Sequence, residues 1–297
     1  MRFVADHADR RTVDGLRWGV EPICRVLSEH GTPIAPSTFY DARTRRSERA
    51  VRDEQLKAEI IRIWDANYGV YGARKVWLAL NREGMPVARC TVERLMRELG
   101  LEGARRGRRH RTTIADPGAA RAADLVQRRF SPARPDAVWV ADFTYVATWS
   151  GTVYVAFVID CHSRRILGWR AATSMRTELV LDALEQAIWT RTREGVTDLS
   201  GLVCHHDAGS QYTSIAFTER LAAAGAAPSV GTVGDALDNA LCESTIGLFT
   251  TEAINHGGPS WVDRREVEWQ VARWVHWYNT TRLHSSIGHL PTDRVRT

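Results

Sequence analysis

Three carboxylates stand in three short motifs of this 297-residue chain. Asp142 lies in Trp139-Val140-Ala141-Asp142-Phe143-Thr144-Tyr145, and Asp207 in His205-His206-Asp207-Ala208-Gly209-Ser210-Gln211-Tyr212. Glu243 lies in Asp238-Asn239-Ala240-Leu241-Cys242-Glu243-Ser244, and 35 residues separate it from Asp207. Carboxylate oxygens are hard donors suited to Mg²⁺ or Mn²⁺. Three of them, brought together from separate elements, can hold two such ions about 3.5–4 Å apart, an arrangement that serves in-line phosphoryl displacement. Metal-assisted phosphodiester chemistry on nucleic acid is therefore the leading expectation. Asp142 sits in an apolar run, where an acid is costly unless paired or bound to metal. Asp207 follows a predicted strand, and ligands gather at strand carboxyl ends in open α/β sheets. Asn239 precedes Glu243 by four residues on one helical face, placed to position DNA or a water.

Other residues compete for these roles. Asp160 ends the second predicted strand, and Asp235 and Asp238 could simply cap the helix that carries Glu243. His205 and His206 could ligate a transition ion, but a supporting or structural role is the expectation. Ser210 has no Ser-His-Asp setting and is expected to turn its loop.

Two further motifs accompany the acids in order: Tyr68-Gly69-Val70-Tyr71-Gly72-Ala73-Arg74-Lys75-Val76 before them, and Tyr278-Asn279-Thr280-Thr281-Arg282-Leu283-His284-Ser285-Ser286-Ile287-Gly288 after them. With these, the chain from about Tyr68 to Pro291 resembles a DDE transposase of the retroviral-integrase-like type, the OrfB-type protein of a bacterial insertion sequence. The resemblance implies an α/β ribonuclease-H-like catalytic core, a mixed sheet flanked by helices, preceded by an all-α helix-turn-helix region. It implies Asp142, Asp207 and Glu243 as catalytic residues and ligands of two Mg²⁺ ions, with Mn²⁺ able to substitute. Water would cut a phosphodiester at the element's end, and the released 3′-OH would attack a second phosphodiester without a covalent enzyme–DNA intermediate. The implied partners are double-stranded DNA at element ends and target, further copies of the chain assembled on DNA, and an upstream-frame fusion partner. Three departures stand out. His206 replaces a serine. Thr250 stands seven residues after Glu243, where a Lys or Arg is expected to touch phosphate. The chain stops at Thr297, six residues past Pro291, where a longer tail is expected. A catalytically impaired DNA-binding protein that regulates transposition is thus the second reading, and a nuclease without strand joining a third.

The elements that must position these residues follow from periodicity. Helices are expected over 20–30, from about 36, and over 51–66, 73–81 and 88–99, the first burying Ile23, Val26 and Leu27 and the third Leu56, Ile60, Ile61 and Trp64. Three strands over 137–148, 152–161 and 165–172 form a meander. Helix 177–192, strand 201–205, helix 214–224, strand 228–230, helix 238–254 and a Trp-rich helix 262–282 follow. The expected domains are a helical segment 1–50, a helix-turn-helix-like unit 51–102, a basic linker 103–134, the catalytic core 135–256, and a C-terminal helix and tail 257–297.

Charge divides along the same line. Residues 1–130 carry 26 Lys and Arg against 17 Asp and Glu, and residues 131–297 carry 14 against 18, so a basic half precedes an acidic one. A basic half suits phosphate binding. The DNA-contact candidates are Arg74 and Lys75, Arg94 and Arg97 on helix 88–99, the linker arginines Arg105, Arg106, Arg108 and Arg109, and Arg282 and His284 near the acids. The five cysteines include no CxxC pair, which argues against a zinc or disulfide framework. No run approaches 18 apolar residues and no secretory leader opens the chain, so a cytoplasmic, DNA-associated protein without membrane contact is expected.

Overall fold

The computed structural model describes residues 1–44, 48–105, 123–126, 130–207, 209–231, 239–256 and 260–295. The chain divides into two compact units, residues 1–63 with 80–101, and residues 64–79 with 102–297.

The first unit is helical. Helices α1 (Arg2–His7), α2 (Val20–Glu29) and α3 (Pro36–Thr44) enclose a small core of Val4, Ala8, Val20, Ile23, Cys24 and Phe39. Helix α1 was not expected from the pattern. Gly31, at a φ of 84°, takes the left-handed conformation that ends α2. Val26 is exposed instead of buried. Helix α4 (Glu48–Ala66) buries Leu56, Ile60 and Ile63, a spacing of four and three that leaves Ile61 outside, contrary to expectation. Helix α6 (Arg89–Glu98) buries Val92, Leu95 and Met96, whereas most of helix α5 (Ala73–Arg82) belongs to the second unit. Arg94 donates to both carboxylate oxygens of Asp53 at 2.9 Å, and to Glu98 at 2.7 Å.

The second unit is built on one five-stranded sheet in the order β3-β2-β1-β4-β5. Strands β1 (Val138–Thr148), β2 (Gly151–Asp160) and β3 (Ile166–Ala172) form the antiparallel meander. Strands β4 (Val203–His206) and β5 (Ala227–Val230) run parallel to β1 on its other side. Parallel neighbours need crossovers, and α7 (Thr177–Arg193) and α8 (Ile215–Ala223) supply them. Period-two alternation turns Trp139, Ala141 and Phe143 of β1, with Ala156 and Val158 of β2, toward the core beneath α7 and α8. Gly168 permits that packing, since a Cβ there would fall 2.0 Å from the Ala183 carbonyl oxygen of α7.

On the opposite face lie α9 (Ala240–Phe249), a π-helical turn over Thr250–Ile254, and α10 (Arg264–Thr280). Phe157, Phe249 and Trp274 pack there edge to face, with centroids 5.2–6.3 Å apart. Trp274 and Trp277 are buried while Trp269 is exposed, so the Trp-rich helix is chiefly a packing stripe. Residues 64–79 dock on it: Trp277 Nε1 donates to Asn67, and the Leu283 amide donates to the Tyr71 hydroxyl at 2.8 Å.

Candidate active site

The register of the sheet sets the first two acids side by side. Ala141 of β1 pairs with His206 of β4 in a parallel ladder, so Asp142 and Asp207 occupy the next step, where β4 ends and β1 continues. Alternation turns Asp142 away from the α7 face. Its cross-strand neighbour is Phe157, which packs on Phe249 of α9. The same helix carries Glu243 in its first turn. Asn239, at the α9 N-cap, closes the group. Its side-chain amide donates to the Ala141 carbonyl at 3.2 Å and reaches Asp207 Oδ1 at 3.5 Å, and its own carbonyl oxygen is buried with no partner among the described residues.

The electrostatics follow. Burial first, then the charge of Asp207, then that of Glu243, raises the Asp142 carboxyl well above its ordinary range. The Phe143 amide, donating at 2.8 Å, opposes this. No three Asp, Glu, His or Cys side chains among the described residues are gathered tightly enough to close round one ion.

The rival acid Asp160 is occupied structurally. It accepts from the Asp136 amide, the Ser163 amide and the Ser163 hydroxyl at 2.6–3.0 Å. Asp235 and Asp238 lie outside the described residues. His206 is fully buried and stacked on Tyr212, and its Nδ1 faces the Asp207 carbonyl at 2.9 Å. Burial pulls its pKa down to about 4, so it stands neutral. His205 Nδ1 lies 2.9 Å from Ser229 Oγ, which also accepts from the Leu125 amide.

The candidate DNA contacts fare unevenly. Arg74, Arg97 and Arg105 are exposed. Arg106, Arg108 and Arg109 lie outside the described residues. Arg94, partly exposed, pairs with Asp53 and Glu98. Arg282 and His284 are corrected. Both are buried, and Arg282 clasps Glu252 through two bonds of 2.6 and 2.9 Å. His284 presents Nε2 to the Tyr278 carbonyl at 2.9 Å and Nδ1 to Arg282 at 3.3 Å. Burial and the Arg282 charge lower its pKa to about 3, so it carries no charge for a phosphate. Lys75 lies over the Tyr71 ring at 4.9 Å, and burial, then Arg282, pulls it down to about 8 despite Glu252. Glu252 itself escaped the sequence reading. It lies thirty positions before Arg282, and no local pattern marks the pair. Thr250 closes α9, two turns from Glu243.

A mixed five-stranded sheet of this order, with acids at the β1–β4 seam and on the helix across it, defines a ribonuclease-H-like core of the integrase type. Residues 132–236 and 224–291 match integrase core domains, and residues 51–109 match a helix-turn-helix-like domain. A Mycobacterium tuberculosis protein of insertion sequence element IS986/IS6110 is 61% identical over 87% of this chain and 93% of its own length. The transposase for insertion sequence element IS629 of Shigella sonnei is 50% identical over 94% of this chain and 92% of its own. The chain belongs to this family of insertion-sequence transposases. Among solved structures, the magnesium complex of the HTLV-2 integrase catalytic core domain is similar over 56% of this chain and 99% of that one, at 14% identity and a TM-score of 0.42. No helix among the described residues is long and apolar enough to cross a membrane.

Proposed function

We propose that this protein binds the ends of its insertion sequence and catalyses DNA strand cleavage and strand transfer, with Asp142, Asp207 and Glu243 as the catalytic acids. The observation that carries this reading is the placement of the acids: the parallel register sets Asp142 and Asp207 side by side, and Glu243 stands in the first turn of α9, whose N-cap Asn239 bonds to the Ala141 carbonyl. A fold gains nothing in stability from such an arrangement, whereas a cation-binding centre requires it.

The residues fit divalent metal. All three donors are hard carboxylates, and the buried Asn239 oxygen adds a fourth polar atom without a partner among the described residues. Asp142, Asp207 and Glu243 would hold two Mg²⁺ or Mn²⁺ ions, which when bound neutralise charge on the attacking and leaving oxygens of the phosphodiester. Carboxylates that repel one another relax apart until a cation draws them in. Asn239 ties the β1 end to Asp207, so these two move as a pair. The family membership and the helix-turn-helix-like match support DNA binding, with exposed Arg74, Arg97 and Arg105 as phosphate contacts. The reading extends to several copies on one DNA and to a fusion with an upstream frame.

The test is incubation of the full chain with labelled element ends and Mg²⁺ or Mn²⁺, beside Glu243→Gln. Metal-dependent nicks and joined strands that vanish in the variant are expected. End binding without any metal-dependent product would overturn the catalytic reading and leave the regulatory one, which Thr250 already favours.

A further inference from the structure

Helix α10 has an outer face that the acid site does not use. Val267, Val271, Trp274 and Tyr278 turn inward and are buried. Trp274 meets Phe157 of the sheet and Phe249 of α9, the helix that carries Glu243. On the other side Arg265, Trp269, Arg273 and His276 recur at intervals of four, four and three, the spacing of one helical stripe, and all four are exposed. At 1.5 Å per residue the stripe is about 16 Å long.

Its arginines have no acid to answer them. Asp263 accepts from the Glu266 amide at 3.1 Å, Glu266 from the Val262 amide at 2.6 Å, and Glu268 from Arg264 at 2.7 Å, so the acids of this helix are taken up at its start. Among the described residues neither Arg265 nor Arg273 forms an ion pair. Arg273 is held by rings instead. Its guanidinium lies 4.4 Å from the Trp269 ring centroid and 5.4 Å from that of Tyr68. Tyr68 leans on Trp277 at 5.1 Å and takes a φ of 58°, a left-handed conformation that tyrosine seldom adopts. Stacking occupies the faces of a guanidinium and leaves its N–H edge free to donate. Trp269, 59% exposed, thus supports a cation that is spent on no other group.

The outer face of α7 carries a similar pair, Arg193 over Trp189 at 5.0 Å, but sets exposed Asp182 and Glu185 on the same stripe. Such a face repels a polyanion, and the acid-free face of α10 attracts one. A duplex backbone presents a phosphate about every 3.4 Å along each strand, so several fall within the length of the stripe. A single strand would instead stack its bases on the ring, and Arg273 already covers Trp269.

We propose that the outer face of α10 is a phosphate-contact surface for duplex DNA, with Arg265 and Arg273 as its contacts and Trp269 as the support of Arg273. The inference rests on the reading of the chain as a DNA-binding transposase. It gives that reading contacts on the helical layer that carries Glu243, where Arg282 and His284 are buried.

The full chain is to be titrated with its element end and with an unrelated duplex over a range of salt concentrations. Beside it stand Arg273→Gln, the double variant with Arg265→Gln, Trp269→Ala, and Arg193→Gln as a control of equal charge loss. The slope of log affinity against log salt should flatten by about one in the single variant and about two in the double, equally for both duplexes. Arg193→Gln should keep the parent slope. Trp269→Ala should keep the slope and weaken both duplexes about 2–5-fold. An unchanged slope in the double variant, with end binding intact in the parent, would overturn the surface and leave the transposase reading standing. The same slope with a lower mass by light scattering without DNA would make the face a contact between copies and overturn the proposal equally. A flattened slope with no metal-dependent cleavage by the parent would support the surface and overturn the catalytic reading alone. A parent that binds neither duplex would overturn both.

Discussion

The second unit holds two ionic clusters built on opposite principles. At the seam of β1, β4 and α9, negative charge is set beside negative charge: burial and the charges of Asp207 and Glu243 drive Asp142 away from ionisation. Around the end of α10, charge is balanced: Glu252 accepts two bonds from Arg282, with neutral His284 and half-buried Lys75 alongside. Both clusters come from residues distant in sequence. The balanced one ties residues 64–79, the π-helical turn and the segment after α10 to one another. Burying like charges together costs folding free energy, so it persists where a ligand of opposite charge repays it.

Several substitutions would break or sharpen this contrast. The largest effect is expected from Asp142→Asn. Losing several kcal/mol of transition-state charge stabilisation corresponds to about a 10³-fold fall in strand transfer. Stability should move the other way. The folded carboxyl has a raised pKa, so its contribution is full below the unfolded value and is lost as pH rises through the folded one. In chelator at neutral pH, Asp142→Asn should therefore melt higher than the parent, by about 2–4 °C for each kcal/mol relieved. A variant that melts lower at pH 7 would show that Asp142 is structural after all.

Arg282→Met should act oppositely, leaving a buried Glu252 without its partner at a cost of about 3–5 kcal/mol in urea unfolding. The double variant Arg282→Met with Glu252→Leu should recover most of this. An unchanged unfolding midpoint in the single variant would erase the distinction between the clusters.

Lys75→Met should be milder and stabilising. Burial has lowered the ammonium pKa from 10.5 to about 8, so the folded protein holds that proton poorly. The gain is roughly 2 kcal/mol below pH 8 and fades between pH 8 and 10.5, where the parent sheds the penalty. A gain that stays constant through pH 10.5 would refute the electrostatic cause.

Thr250→Lys is the smallest change. It restores a cation two turns from Glu243, and the slope of end binding against log salt concentration should steepen by about one. An unchanged slope would show that the position does not reach phosphate.

Much of the core was legible in the sequence. The meander was expected within one or two residues, because Val-, Ile- and Tyr-rich runs broken by Trp149-Ser150-Gly151 have few other solutions. The strands around Asp207 and the helix between them were equally plain. Helix α1 was missed because only Val4 and Ala8 face inward over so short a span. Helix α4 was oriented wrongly because Leu56, Ile60, Ile61, Ile63 and Trp64 allow two neighbouring faces, and only packing chooses between them. The helix expected to run unbroken to 254 changes to π-helical at Thr250, which turns Glu252 inward to meet Arg282. Arg94, Arg282 and His284 were taken for phosphate contacts on residue type and neighbourhood. Their partners Asp53, Glu252 and Tyr278 are not all near in sequence, so their occupation was invisible.

The sequence by itself determined which residues are candidates for the chemistry and which elements carry them. Motif spacing and periodicity are local properties, and Asp142, Asp207 and Glu243 each announce themselves within a dozen residues. The tertiary structure alone decided which charges are spent and which remain available. Whether a cation is neutralised depends on pairing across distances such as Arg282 to Glu252, and whether an acid resists ionisation depends on burial and on other acids brought beside it by strand register.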